Sequence, residues 1–256
     1  MPHIDLNCDM GESFGRYTLG LDEQVMAHIT SANIACGFHA GDPLVMHRTV
    51  ELAVQNETGI GAHPGLPDLV GFGRRRMECS PQEIRQDVLY QIGALQAIAR
   101  DHGALVGHVK PHGALYHMVL DSEQTARAVV EAVAAAGPDL VLVTLAGPRG
   151  DHVAALGREL GLPVAREAFP DRGYTSKGTL LPRHMDGALI QEPDQVASRA
   201  LSMARGQVQA GDGRIISLQP DTLCVHGDSQ KAADLVAGIR SLLEENNITL
   251  RGLRSL

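Results

Sequence analysis

Apolar and polar positions alternate at the start of the chain. Ile4, Leu6 and Cys8 fall on one side of an extended segment, and Asp5, Asn7 and Asp9 fall on the other, the period of two that marks a β-strand. Short apolar runs recur at 29–35, 58–62, 104–110, 140–145, 163–167 and 222–226, so seven strands are predicted, the first over 3–8. Between them the period lengthens to that of a helix. Asp42-Pro43 reads as an N-cap with Pro at the first helical position, opening a helix to about Gln55. Ser80-Pro81-Gln82-Glu83 is a capping box, followed by Ile84, Val88, Ile92 and Leu95 on one face. Asp121 is expected to begin a helix carrying Ala126, Val129, Val130 and Val133. Pro193 opens one with Val196, Ala200 and Met203, and Ser229 precedes one with Leu235, Val236, Ile239, Leu242 and Leu243. Strands separated by helices pair in parallel through crossovers. The expected fold is α/β, a TIM-like (β/α) barrel with about seven strands; an open doubly wound sheet is the alternative.

Composition narrows this picture. With 44% hydrophobic and 20% charged residues the chain is too apolar to be disordered, yet it has no run of about 18 apolar residues to span a membrane. Its 256 residues are the usual length of one such barrel. The glycines are dispersed, and no linker or repeat divides the chain, so one barrel domain over 1–256 is expected. A net charge of −8 and the absence of Trp argue against nucleic-acid binding. The run Arg74-Arg75-Arg76 is the exception, either a solvated loop or an anion-capturing one. The cysteines, at 8, 36, 79 and 224, form no C-x-x-C pair, and the opening residues lack the pattern of a signal peptide. Reduced thiols and a cytoplasmic location are expected.

The candidate chemistry gathers where strands end. In a helix-flanked barrel the polar side of the first strand points inward, and buried acids there carry a desolvation cost that functional sites tolerate. Asp9, and Glu12 in the loop after it, are therefore candidates. Four histidines are each followed within two residues by Gly: His39 in GFHAGD, His63 in GAHPG, His112 in KPHGAL and His226 in CVHGD. Each is a turn or cap residue if taken alone; on a parallel barrel they would share the rim that holds the chemistry. His108 and Lys110 fall on the same side of their strand, and Lys110 suits an anion or oxyanion, or else a surface salt bridge. The stretch from Phe169 to Ile190, with Asp171, Arg172, Gly173, Tyr174, Lys177 and Arg183, has little periodicity and reads as a lid or binding loop. The chain has no phosphate-loop motif, completes no G-x-G-x-x-G, and lacks both G-x-S-x-G and H-E-x-x-H.

Six segments, DLNCDMGESFG (5–15), SANIACGFHAGD (31–42), GAHPGLPDLVGFGRR (61–75), HVKPHGALY (108–116), DRGYTSKGTLLPR (171–183) and CVHGDS (224–229), resemble the LamB/YcsF family in order across essentially the whole chain. The resemblance implies a seven-stranded barrel of the glycoside hydrolase/deacetylase type and the ATP-dependent opening of 5-oxoproline (pyroglutamate) to L-glutamate. It implies work with two partners, 5-oxoprolinase subunits B and C, with ATP as cosubstrate bound mainly by those partners. On this reading Asp9, Glu12, His39, His63, Lys110 and His112 are the candidate catalytic residues. Asn7, Asn33, Asp42, Arg74, Arg172, Tyr174, His226 and Asp228 are the candidate substrate-binding residues, and Arg74, Arg172 or Lys110 suits a carboxylate or phosphate. Two rival readings stand beside it. In one the chain is a hydrolase acting alone with a divalent metal held by Asp9, His63 and His112; in the other it is a non-catalytic component that binds substrate.

Overall fold

A computed structural model describes residues 2–182, 184–225 and 232–253. The chain runs through β1 (His3–Met10), α1 (Asp22–Met26), β2 (Ser31–Ala35), α2 (Pro43–Gln55), β3 (Gly59–His63) and α3 (Pro81–Asp101). It continues through β4 (Val106–Val109), α4 (Gly113–Asp121), α5 (Glu123–Ala136), β5 (Val141–Leu145), α6 (Asp151–Leu160) and β6 (Val164–Ala168). Last come α7 (Pro193–Ala204), β7 (Gln207–Gln209), β8 (Ile215–Ser217), β9 (Thr222–Val225), α8 (Ala232–Glu245) and β10 (Thr249–Leu250). Strands β1 to β6 pair in sequence, all in parallel, and β9 closes the ring by pairing with both β6 and β1. This is the expected seven-stranded parallel barrel ringed by helices, and the closure excludes the open sheet.

Three of the helix starts follow the sequence signals, α7 opening at Pro193 as expected; Ser229 lies outside the described residues. The Asp42 side chain accepts from the backbone N–H groups of Leu44 and Val45, and Ser80 with Glu83 completes the capping box, each cap worth about 1 kcal/mol. Asp121 does not begin a helix. It ends α4, and Ser122 caps α5 by accepting from Thr125 N–H; the hydroxyl one residue on is the better cap, and the run from Gly113 is apolar enough to form a helix of its own. Helices α1 and α6, strand β10 and the antiparallel β7–β8 hairpin carry no clear signal in the pattern; most are short, and α6 is a ten-residue helix with no side-chain cap.

The apolar core lies between barrel and helices. Leu6, Cys8, Ile34, Ala62, Val109 and Leu142 face outward from the strands and pack in one cluster with Val50, Ile92, Leu95, Val129 and Ile239. The barrel interior is polar instead. Asp5, Asn7, Ser31, Asn33, His108, Glu167 and Thr222 are all buried inside it, with hydrogen bonds joining them in layers. Gly61 makes room for one of these, since a Cβ at that position would collide with the His108 ring. Among the described residues no helix is long and apolar enough to cross a membrane.

Candidate active site

The upper layer of the interior opens into a cavity at the C-terminal ends of the strands. Its lining includes Asp9 from β1, Glu12 just beyond it, His63 at the end of β3, Lys110 just past β4 and His112 at the start of α4, together with Arg74, Tyr116, His117, Phe169, Arg172 and Leu180. Parallel pairing in register sets these side chains side by side: Asp9 lies opposite Asn33, and Ala35 opposite His63.

Lys110 is the centre of charge. It is 3% exposed, and its Nζ lies 2.9 Å from Asp9 Oδ1, 2.8 Å from Glu167 Oε1 and 3.0 Å from Cys224 Sγ. Burial alone would discharge it, but Asp9, Cys224 and Glu167 outweigh that effect and hold the ammonium well above its usual range. Burial likewise pulls Asp9 upward, and the nearby His63 and Lys110 reverse the effect, keeping its carboxyl well below the usual carboxylate range. Asn33 Nδ2 donates to the same Asp9 oxygen at 2.9 Å, and beneath it Asn7 Nδ2 donates to Glu167 Oε1 and Thr222 Oγ1.

The histidines are oriented by backbone carbonyls. His63 Nδ1 lies 2.6 Å from Lys110 O, and His112 Nε2 lies 2.8 Å from Phe72 O. A carbonyl only accepts, so each of these ring nitrogens carries the hydrogen. The two remaining nitrogens, His63 Nε2 and His112 Nδ1, meet at 3.0 Å, a hydrogen-bonding separation that two bare lone pairs would not hold, with Asp9 Oδ2 3.3 Å from His63 Nε2 and Glu12 Oε1 3.7 Å from His112 Nδ1. Burial, and then the neighbouring His63, push His112 down to about 3, so it is neutral at pH 7. His39 stacks on His112 with ring centres 3.6 Å apart and is held well below its usual range by burial and by His112 and His63. Two backbone features make this packing possible. Phe72 adopts φ +55°, a left-handed conformation that costs a non-glycine residue about 1–2 kcal/mol, while its carbonyl meets His112. Gly73, also left-handed, lies so close that a Cβ would come within 2.6 Å of His39 Cβ.

The donor set also fits a divalent cation. Glu12, His39, His63 and His112 each offer a ligand atom, all within 4.8 Å of one another. Neither ring nitrogen of the buried His39 has a hydrogen-bond partner among the described residues; Nε2 points to Glu12 Oε1 at 3.5 Å. This set shares His63 and His112 with the expected set of Asp9, His63 and His112; Asp9 Oδ1 meets Lys110 and Asn33, while its Oδ2 lies 3.3 Å from His63 Nε2.

Other expected residues are placed less directly. Asn7 and Asn33 are wholly buried below the cavity floor. Asp42 is the N-cap of α2, and its oxygens take the N–H groups of Leu44, Val45 and Gly15, which turns it from the cavity to the loops. Tyr174 is 0% exposed and its hydroxyl accepts from Phe169 N–H, so it braces the cavity wall from behind. Arg172 reaches the cavity, but its guanidinium donates to Ala188 O and Leu181 O. The stretch read as a lid is anchored, with Arg199 of α7 donating to Pro170 O and Arg172 O. Within the arginine run, Arg75 is clasped by Asp68 and Arg76 pairs with Asp121, which leaves Arg74 as the member that lines the cavity. His226 and Asp228 lie outside the described residues. Glu167, Tyr116, His117 and Phe169 join the site without having stood out along the chain. Glu167 had a signal, an acid near the end of a predicted strand, the same position that marked the histidines.

The sequence model of the LamB/YcsF family matches residues 4–256. The chain belongs to the LamB/YcsF family. A relative from Pyrococcus abyssi, named as the A component of 5-oxoprolinase, is 52% identical over 252 residues and covers 98% of each chain. Another of that name, from Syntrophobacter fumaroxidans, is 54% identical over 245 residues, covering 95% of this chain and 96% of its own. The crystal structure of the lactam utilization protein from Thermus thermophilus superimposes with a TM-score of 0.93 at 45% identity, over 98% of this chain and 100% of that one. LamB/YcsF membership and this superposition agree with the barrel seen here.

Proposed function

We propose that this chain, one (β/α) barrel domain over 1–256, acts as the A component of an ATP-dependent 5-oxoprolinase and opens 5-oxoproline to L-glutamate with partner subunits B and C. The names of relatives about half identical over the full length support the substrate and the partners. The observation that carries the chemistry is the hydrogen-bonded pair of His63 and His112 at the cavity, beside the clasped ammonium of Lys110.

A lactam carbonyl is a poor electrophile because its nitrogen donates into it. Coupling to ATP places its terminal phosphoryl group on the carbonyl oxygen, releasing ADP and activating the carbon as a phosphorylated imidate. The sequence carries no phosphate-loop motif, so nucleotide handling is assigned mainly to the partners. Water attacks that carbon, the C–N bond breaks as the ring nitrogen takes a proton, and the acyl phosphate left behind is hydrolysed by a second water to L-glutamate and inorganic phosphate. The first water gives its proton to the His63–His112 pair, which Asp9 steadies once charged, as a carboxylate orients a catalytic imidazole, and the pair returns a proton to the leaving nitrogen. Lys110 faces the oxyanion that forms when the second water attacks the acyl phosphate. Arg74, whose guanidinium sits 4.9 Å over the Phe72 ring, takes the substrate carboxylate. Asn7, Asn33 and Glu167 act through Asp9 and Lys110, holding them in place. The four free cysteines fit a reducing, cytoplasmic setting.

The test is glutamate release from 5-oxoproline by this chain alone and with B and C, each with and without ATP. Release only with both partners and ATP is expected. Release by the chain alone without ATP overturns the coupling and favours the second reading, a metal-dependent hydrolase. That reading rests on the convergence of Glu12, His39, His63 and His112, where a divalent ion would supply an activated water. Near-stoichiometric metal in protein purified without a His-tag is its signature.

A further inference from the structure

We propose a second, separate metal site on the outside of the barrel, where His47, Asp101 and His102 clip α2 to the end of α3 with a first-row transition ion such as zinc. His47 lies in the second turn of α2. Asp101 is the last residue of α3, and His102 is its C-cap. The two imidazole rings are tilted at 51° with centres 4.5 Å apart and His102 Nε2 3.0 Å from His47 Nδ1, and all three residues offer a ligand atom within 4.8 Å of the others.

Three physical points favour an ion here. Ligands about 2.0–2.1 Å from a tetrahedral zinc sit about 3.3 Å apart, so the nitrogens already stand near the needed spacing; an ion would displace the proton they share, with the rings turning toward it and the Asp101 carboxylate closing in from within 4.8 Å. Imidazole with one carboxylate suits zinc, nickel or copper rather than calcium or magnesium. The site also lies at the C-terminus of a 21-residue helix, where unpaired carbonyls and the helix dipole favour a cation. The half-burial of both histidines and the exposure of Asp101 leave the fourth position open to water.

The clip would act on the frame of the cavity from a distance. Helix α2 follows the loop bearing His39. Helix α3 carries Gln91, whose amide exchanges two hydrogen bonds with Gly65 just beyond His63, both at 2.9 Å. Joining the helices ties the supports of those two loops together. None of the three residues touches the cavity lining, so the proposal is independent of the reaction assigned above.

Zinc is titrated by calorimetry into metal-stripped wild type and into the double variant His47→Ala/His102→Ala, with the melting temperature followed in both. One fewer bound equivalent is expected in the double variant. A zinc-induced rise of about 5–10 °C at a hundredfold excess over Kd is expected in the wild type, smaller in the variant, with glutamate release by the assembled enzyme unchanged. Cobalt in place of zinc should give intense visible bands, weaker in the variant by the share of this site. Should the double variant fail to fold, Asp101→Ala, at an exposed position, is expected to weaken the same equivalent about tenfold. Equal zinc stoichiometry and equal thermal shift in wild type and variant overturn the site, and leave the histidines as a simple hydrogen-bonded pair.

Discussion

Asp5 and Asp9 stand four residues apart on β1, on the same inward face, and their chemistry runs in opposite directions. Asp5 lies at the closed end of the barrel. It accepts from the hydroxyls of Thr30, Ser31 and Thr222, and with no cation among those partners burial pushes its carboxyl up to about 6. Asp9 lies at the open end, between His63 and Lys110, and stays ionised far below that value. Residue type and strand are the same; the difference comes from what the neighbouring strands place opposite. Thr222 and Ser31 supply neutral hydroxyls to the floor, while β3 and β4 end in His63 and Lys110 at the rim. Polarity alone inside a barrel is therefore no mark of a site; the mark is fixed charge beside imidazoles that line a cavity.

The comparison breaks most directly through activity. Asp9→Asn keeps the shape but removes the charge that steadies His63, so glutamate release by the assembled enzyme should fall about 10²- to 10⁴-fold, whereas Asp5→Asn should stay within a few-fold of wild type. Equal losses in steady-state assays would erase the distinction between floor and rim. Next in size is Lys110→Met. It strands two buried carboxylates, and breaking a buried ionic cluster from one side costs about 3–5 kcal/mol; urea denaturation should show that loss, and adding Glu167→Gln should recover part of it. A smaller effect sits between floor and rim at His108. Its ring, buried beside Lys110, is pushed down to about 3. Because its folded value lies below the unfolded 6.5, its contribution to stability is complete above pH 6.5 and is lost as pH falls toward 3. His112 behaves likewise, so His108→Asn should flatten, without abolishing, the acid side of a plot of stability against pH.

Much of this was legible in the sequence, and the physical reasons differ by element. The seven barrel strands follow from apolar runs because their outer faces pack against helices. The rim was legible because glycine follows the strand-end histidines and gives the backbone room to turn. Arg75 and Arg76 could not be told from Arg74 along the chain, since Asp68 and Asp121 reach them only through tertiary folding. Asp42 carried two signals at once, a cap and a motif position, and the cap uses its oxygens. Glu167 was hidden because an acid in a short strand reads as a solvated edge until the barrel closes over it. The facing of His63 and His112 depends on two carbonyls, Lys110 O and Phe72 O, which have no sequence signature.

The finest test returns to the floor. Asp5 is wholly buried and its folded value of about 6 lies above the unfolded 3.8. Its contribution is thus fully present below pH 3.8 and is lost as pH rises through 6, a difference worth about 3 kcal/mol. That slope opposes the one from His108 and His112, so the wild-type curve between about pH 4 and 6 should be a partial cancellation of the two. Asp5→Asn removes only the floor's share. The amide can still meet the Thr30, Ser31 and Thr222 hydroxyls, so its stability near pH 4 should be close to wild type, and its advantage should grow as pH rises from about 4 to 6 and level off above. A constant offset between the two proteins across that range, measured by urea midpoint, would show that Asp5 is already ionised near pH 4. The floor would then hold its charge by hydroxyl donors alone, and the contrast with Asp9 would rest on cavity access rather than on charge.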